Sequence, residues 1–344
     1  MTTDEMKGYR KRVRFRVLFM FSCAVALLLL FVFSLLTGPT RVPLWEVIKV
    51  LTGSEEQDLL YHSIVVHIRL PRALAAIAGG AGLAVSGAVM QSVLRNDLAS
   101  PYTLGISHAA SFGAAISISL LGFESPALLY QVPAMAFLSS LVAVFVMIAL
   151  SELRGATAET MVLTGVALGS LYTGGLTAIK YFSTDQELAA ITFWQFGDLS
   201  RAGWTELLVI SVSVTLIAIF FVYNSWNYNA MDYGDEVAKS LGVKVERTRI
   251  TGMLLSSLVT AIIVSFVGII GFVGLVVPHI VRRVIGGDAT YLLPTSCLVG
   301  ALLLLAADTA SRSLFSPIIL PVGILTSFLG APLFIYLILT GRGR

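Results

Sequence analysis

The polar stretch Asp232–Arg249, DYGDEVAKSLGVKVERTR, is flanked by two apolar runs, Leu207–Tyr223 and Ile250–Val267. Each run approaches the ~20 residues that a helix needs to cross the hydrocarbon of a bilayer. Runs of this kind recur from one end of the sequence to the other, and no other feature limits the fold as much. Backbone polar groups in hydrocarbon must be satisfied within their own segment, so each run is read as a helix. The chain has 56% hydrophobic and 12% charged residues, against about 25% charged in soluble domains. Its mean hydropathy is +0.87. The expected fold is an all-α polytopic membrane protein, one transmembrane domain over residues 1–344, with room for about ten spans.

The order of segments follows from the same pattern. KGYRKRVRFR precedes the run Val17–Leu36. That run is too long for the apolar core of a signal peptide, and no small-residue cleavage site follows it. It is therefore read as an uncleaved first helix behind a cytoplasmic basic N-terminus, residues 1–16. The later spans are expected at Ala73–Leu94, Ala99–Leu121, Val132–Leu150, Glu159–Tyr181, Trp204–Tyr223, Ile250–Val267, Gly268–Ile285, Tyr291–Ser311 and Pro321–Thr340. Outer connections fall at Thr40–His67, with Glu55, Glu56 and Asp58 and a short surface helix over Val42–Leu51, at Gly122–Gln131 and at Ser183–Gly203. Inner connections fall at Arg95–Asp97, at Ser151–Thr157 and at Asp232–Arg249, and the chain ends inside in a basic tail.

Charge tests this arrangement. Sixteen of the 23 Lys and Arg lie on the proposed inside, including Arg154, Arg342 and Arg344, and seven outside, while the acids divide ten and ten. A bias confined to Lys and Arg is what the positive-inside rule describes. All four Trp (Trp45, Trp194, Trp204 and Trp226) fall near proposed interfaces. Small residues crowd the second span at Gly79, Gly80, Gly82, Ser86 and Gly87, which allows close helix approach.

Several chemistries are missing. No phosphate-binding G-x-x-x-x-G-K-[ST] loop occurs, so ATP is not bound here through such a loop. The four His (His62, His67, His108 and His279) are scattered along the sequence, and Cys23 and Cys297 lie in apolar runs; neither a metal site nor a disulfide is expected. Asp308 comes nearest to an intramembrane carboxylate, and it stands four residues from Arg312, the spacing of a local ion pair. With so little intramembrane charge, a secondary transporter is disfavoured, and no catalytic constellation supports an intramembrane enzyme. Energy has to enter elsewhere. Within Asp232–Arg249, Val237, Ala238, Leu241 and Val245 recur at helical spacing before and after Gly242, which makes an amphipathic inner hairpin that a partner can grip.

Five stretches, in order, resemble the permease family of the iron-chelate, haem and vitamin B12 ABC importers. They are IRLPRALAAIAGGAGLAVSGAVMQSVLRNDLASPYTLGIS (Ile68–Ser107), EVAKSLGVKVERTR (Glu236–Arg249), GFVGLVVPHIVRRVIG (Gly271–Gly286), LLLLAADTASR (Leu302–Arg312) and LPVGILTSFLGAPLFIYLIL (Leu320–Leu339). The resemblance implies a type II ABC importer permease fold of ten helices with both termini cytoplasmic. It implies a multi-pass protein of a prokaryotic cell (inner) membrane. The expected partners are a second permease copy, two cytoplasmic ABC ATPase subunits that hold the ATP and magnesium, and a soluble or lipid-anchored substrate-binding protein. No cofactor is expected in this chain, and no nucleic-acid partner.

Carried over by position, the resemblance implies ATPase-coupling helices within 232–249, with Glu236, Ala238, Leu241, Gly242 and Val245 at the contact. It assigns Arg69, Arg72 and Arg312 to docking of the binding protein, with internal pairing as the competing reading. It puts Asn96, Asp97 and Leu98 at the cytoplasmic gate. Relatives usually carry Pro where this chain has Asp97, and often Glu-Leu-Pro where it has Ile319-Leu320-Pro321. His108 replaces a small or amide residue and is either a pathway contact or a packing residue. The implied cargo is an iron(III) chelate such as a siderophore, with haem, cobalamin and molybdate or tungstate as alternatives.

Overall fold

The computed structural model describes residues 3–53, 58–121, 128–153, 155–314 and 318–340. Glu55, Glu56, Arg154, Arg342, Arg344 and most of the 122–131 connection lie outside the described residues. Among the described residues all regular structure is helical, with no strand.

Fifteen α-helices follow one another. They are α1 (Thr3–Leu36), α2 (Leu44–Thr52), α3 (Leu59–Ser63), α4 (Leu70–Leu94), α5 (Ile106–Leu121), α6 (Leu128–Glu152), α7 (Ala158–Phe182), α8 (Asp185–Gln195), α9 (Trp204–Tyr223), α10 (Ser225–Asp232), α11 (Asp235–Ser240), α12 (Val245–Val267), α13 (Val273–Ile285), α14 (Ala289–Ser313) and α15 (Val322–Thr340). A π-helical turn, Ile64–Arg69, joins α3 to α4, and a 3₁₀ turn, Leu199–Arg201, precedes α9. Seven helical runs are long and apolar enough to cross a membrane: α1, the run from α3 through α4, α6, α7, α9, α12 and α14. Helices α5 and α15 are apolar but shorter, and α13 has only 13 residues.

Helix α4 is the centre of the bundle, packed by α14, α12, α13 and α9. Its small residues explain the position. A Cβ on Gly80 would collide with the carbonyl of Gly300 on α14, and one on Gly87 with the carbonyl of Gly274 on α13. Two backbones therefore touch α4 directly, and dispersion contacts between them replace side-chain interdigitation.

The connections gather at two ends of the bundle, which keep the names inner and outer from the expected orientation. Residues 95–98, α10, α11 and Asp288 gather at one end, where Arg249 reaches Val93, Ala156 and Asp235. The loops at 37–43, 196–203 and 268–272 gather at the other, where Arg312 reaches Thr37 and the Asp198 N–H reaches Val267. These are called the inner and outer ends below.

Several boundaries differ from the sequence expectation. The span expected at Ala99–Leu121 is helical only from Ile106, because Pro101 and Gly105 (φ 82°) hold the approach in turns. The span expected from Gly268 starts at Val273, since Gly268 (φ 75°) and Phe272 (φ 66°) are left-handed. The outer segment expected to run to His67 is helical from Leu59. Ser183–Gly203 contains α8, which Thr184 and Glu187 open with a reciprocal capping box.

Candidate functional site

The Asp232–Arg249 stretch holds one short helix, α11, between the end of α10 and the first residues of α12. Gly234 (φ 112°) separates α10 from α11, and Gly242 (φ 85°) ends α11. Both positions fall where residues with a Cβ are strained. The Val243 N–H then bonds the Ala238 carbonyl at 2.9 Å, and the Gly242 N–H bonds the Lys239 carbonyl at 2.9 Å, which satisfies the carbonyls that a helix end leaves open.

This geometry divides the expected coupling residues. Leu241 is 51% exposed and Val237 44% exposed, while Ala238 and Val245 are buried. The Glu236 side chain is almost fully exposed beside Lys239. The outward apolar face is therefore Val237 and Leu241. Of the five residues expected at the contact, Ala238 and Val245 have side chains that pack within this chain.

Sequence reasoning missed Arg249 as more than an inner charge. Its guanidinium is buried and makes bonds to three segments. Nη2 donates to both oxygens of Asp235 at 2.7 and 2.8 Å. Nε donates to the Val93 carbonyl at 2.9 Å, and Nη1 to the Ala156 carbonyl at 3.1 Å. It thereby ties α11 to the last turn of α4 and to the turn before α7. The available signal was an Arg at the edge of an apolar run, where solvation is costly without partners.

The expected gate residues follow α4 directly. Arg95 is left-handed at φ 49°, and the Asn96 side chain accepts from the Leu98 N–H at 2.9 Å. Leu98 is exposed. Asp97 accepts from Arg282 Nη1 of α13 at 2.6 Å, and the same nitrogen donates to Gln91 Oε1 at 3.2 Å. The Gln91 amide in turn donates to the Leu275 carbonyl at 3.2 Å. Asp97 thus binds the loop after α4 to α13.

His108, on α5, stands apart from this group. Its ring lies 5.2 Å from that of Tyr102, and its buried Nδ1 has no hydrogen-bond partner. A cavity of about 840 Å³ between α6, α8, α9 and α12 includes none of the residues expected from sequence.

At the outer end, Arg69, Arg72 and Arg312 are only 4% exposed. Arg72 Nε and Arg312 Nε donate to the two oxygens of the fully buried Asp308, at 2.7 and 3.0 Å. Arg312 also reaches the Ser34 hydroxyl at 2.7 Å and the Thr37 carbonyl at 3.0 Å. Arg69 Nη1 reaches the Leu35 carbonyl at 2.6 Å, and Nη2 bonds the Thr40 carbonyl. The three side chains turn inward, where one buried carboxylate and the carbonyls of Leu35, Thr37 and Thr40 supply the partners that water would otherwise give. The Arg312–Asp308 pairing foreseen as the competing reading is present.

Comparison with known proteins gives a consistent answer. The sequence profile of the FecCD transport family matches residues 26–340. A protein of Methanocaldococcus jannaschii, provisionally named an ABC transporter permease protein, is 48% identical over 344 residues, 98% of each chain. The hemin transport system permease protein HmuU of Yersinia pestis is 39% identical over 296 residues, 86% of this chain and 88% of that one. Among solved structures, an inward-facing ABC transporter provisionally described as of metal-chelate type aligns at a TM-score of 0.81 with 31% identity, over 94% of this chain and 99% of that one.

Proposed function

The chain belongs to the FecCD transport family, and from that premise we propose that it is the transmembrane permease subunit of an ABC importer for an iron(III) chelate of siderophore type. The single observation that carries this is the inner end of the bundle. There α11 offers Val237 and Leu241 outward, and Arg249 links α11 to the helix that ends at the gate loop. A partner that pushes on α11 therefore moves a rigid, bonded unit rather than a loose loop.

The proposed cycle uses this connection. Two cytoplasmic ATPases hold the ATP and magnesium, and each receives the Val237–Leu241 face of one permease copy in a groove. Closure of the ATPases displaces α11. Asp235 passes the displacement to Arg249, which shifts the carbonyls of Val93 and Ala156 and with them the inner ends of α4 and α7. Asn96, Asp97 and Leu98 then open or close the inner mouth, and the Asp97–Arg282 contact breaks or reforms with them. The membrane is that of a prokaryotic cell, with both termini in the cytoplasm. A second copy of the chain completes the pathway, which α7 and α15 line, with His108 beside it.

Cargo arrives on a substrate-binding protein at the outer face. A contact from that protein to Arg69, Arg72 or Arg312 first requires the 37–43 loop to move, because its carbonyls occupy two of these guanidiniums. Haem is the second reading, supported by the similarity to a hemin permease.

The test is reconstitution of the chain with its ATPase and binding protein in vesicles. Hydrolysis should rise on addition of the chelate-loaded binding protein, and Leu241→Arg should remove that stimulation while the permease stays folded. Uptake driven by an ion gradient without any ATPase would sink the proposal.

A further inference from the structure

The inner end of α1 carries a face that nothing covers among the described residues. At ~1.5 Å per residue a 34-residue helix extends ~51 Å, against ~30 Å of hydrocarbon. About 14 residues of α1 therefore stand beyond the apolar layer. Arg10, Lys11, Arg12 and Arg14 are exposed there. Among the described residues none of the four has a hydrogen bond or ion pair. From Met6 to Trp45 the sequence contains no Asp or Glu to neutralise them.

These cations continue into an apolar stripe. Arg10 and Arg14 are four residues apart, Val17 and Leu18 lie three and four residues further, and Phe21 four residues beyond Val17. Positions at such spacings share one face of a helix. Together with Tyr9 they border one shallow groove along α1. Depth along this groove is fixed, because the other side of α1 is pinned. Arg16 donates to the Ile285 carbonyl at 2.9 Å and to Asp288 at 3.0 Å, and it lies over the Tyr291 ring at 4.9 Å.

We propose that this stripe binds an anionic phospholipid of the inner leaflet. The headgroup phosphate sits between the guanidiniums of Arg10 and Arg14, and an acyl chain follows Val17, Leu18 and Phe21. Guanidinium groups match phosphate oxygens in charge and geometry. The change from Arg14 to Val17 takes ~4.5 Å of helix rise, one step from headgroup to hydrocarbon. A cytoplasmic protein can reach Arg10 but not the buried depth of Phe21, so the unbroken stripe favours a lipid over the ATPase. The assignment of the leaflet rests on the orientation proposed above; the site itself does not.

Delipidated full-length protein in detergent, titrated with dioleoylphosphatidylglycerol and followed by native mass spectrometry, tests the site. Dioleoylphosphatidylcholine and inorganic phosphate serve as separate arms. Phosphatidylglycerol should bind in preference to both and weaken in high salt. In the variant carrying both Arg10→Gln and Arg14→Gln its affinity should fall roughly 20- to 30-fold, about fivefold per cation. Equal binding of phosphatidylcholine, binding of inorganic phosphate alone, or unchanged phosphatidylglycerol affinity in the variant would each overturn the site. So would a variant that keeps its lipid but no longer co-purifies with the ATPase, which would mark a protein contact. Should the variant fail to fold, a photoactivatable phosphatidylglycerol on the wild-type chain decides: labelling within 17–21 supports the site, and labelling elsewhere removes it. None of these readouts uses transport, so failure of the importer assignment leaves them unaffected.

Discussion

Arg249 is a residue whose chemistry is set by having three acceptors on three segments. Arg249→Lys should not rescue its role, because an ammonium group cannot reach the Asp235 carboxylate and the carbonyls of Val93 and Ala156 in a planar fork. The expected result is retained ATPase binding with at least tenfold lower transport per ATP hydrolysed, measured in reconstituted vesicles. Asp308 has the complementary position, one buried carboxylate between two buried arginines. Asp308→Asn should destabilise the chain by about 3–5 kcal/mol, because breaking a buried pair strands its charge, and a lower thermal midpoint in detergent would register it. An unchanged midpoint would show that Arg72 and Arg312 find other partners. The Arg312–Asp308 spacing was legible in the sequence because it is local. The Arg72–Asp308 contact was not, since it joins residues 236 positions apart.

At the scale of elements, the inner helices carried their own signals. The apolar periodicity of 237–245 and the glycine that interrupts it are both local in sequence, and α11 ends just before Gly242. Which side of that periodicity faces outward was not legible. Ala238 and Leu241 fit the same pattern, and only packing against the rest of the chain buries one and exposes the other. Helix α8 was missed because its segment is mixed in polarity and mimics a connection, although Thr184 and Glu187 form the capping signature that could have revealed it. Glycines inside and outside the α4 seam divide in the same way. Gly87→Ala should shift or disrupt the α4–α13 contact, since a Cβ there meets the Gly274 carbonyl, whereas Gly174→Ala on α7 meets nothing within 4 Å. Expression and thermal stability should fall for the first and hold, or rise slightly, for the second. Equal behaviour would mean that the seam relaxes.

Across the whole molecule, the distribution of charge was the most legible property. The Lys and Arg count separates the two ends because lipid excludes those groups wherever they occur. One inner contact gives this separation a pH dependence. Burial alone would raise the Asp288 carboxyl, but the Asn229 amide, the Thr290 backbone and hydroxyl, and Arg16 outweigh it and hold the group below the usual carboxylate range. A depressed carboxylate contributes stability above its unfolded pKa, about 3.9, and loses it as pH falls through the lower folded value. The α1–α14 attachment should therefore survive to pH 4 and weaken only below it, detectable as faster amide exchange near Ile285–Tyr291. Asp288→Asn should remove that acid dependence. The seam of α4 reaches further still. Where backbone meets backbone, at Gly80 with Gly300 and Gly87 with Gly274, one helix cannot shift along another without lifting off it. Arg72 of α4 is also bonded to Asp308 of α14. The seam should therefore behave as a keel that is carried whole, and the distance between spin labels on α4 and α14 should stay constant through a nucleotide cycle.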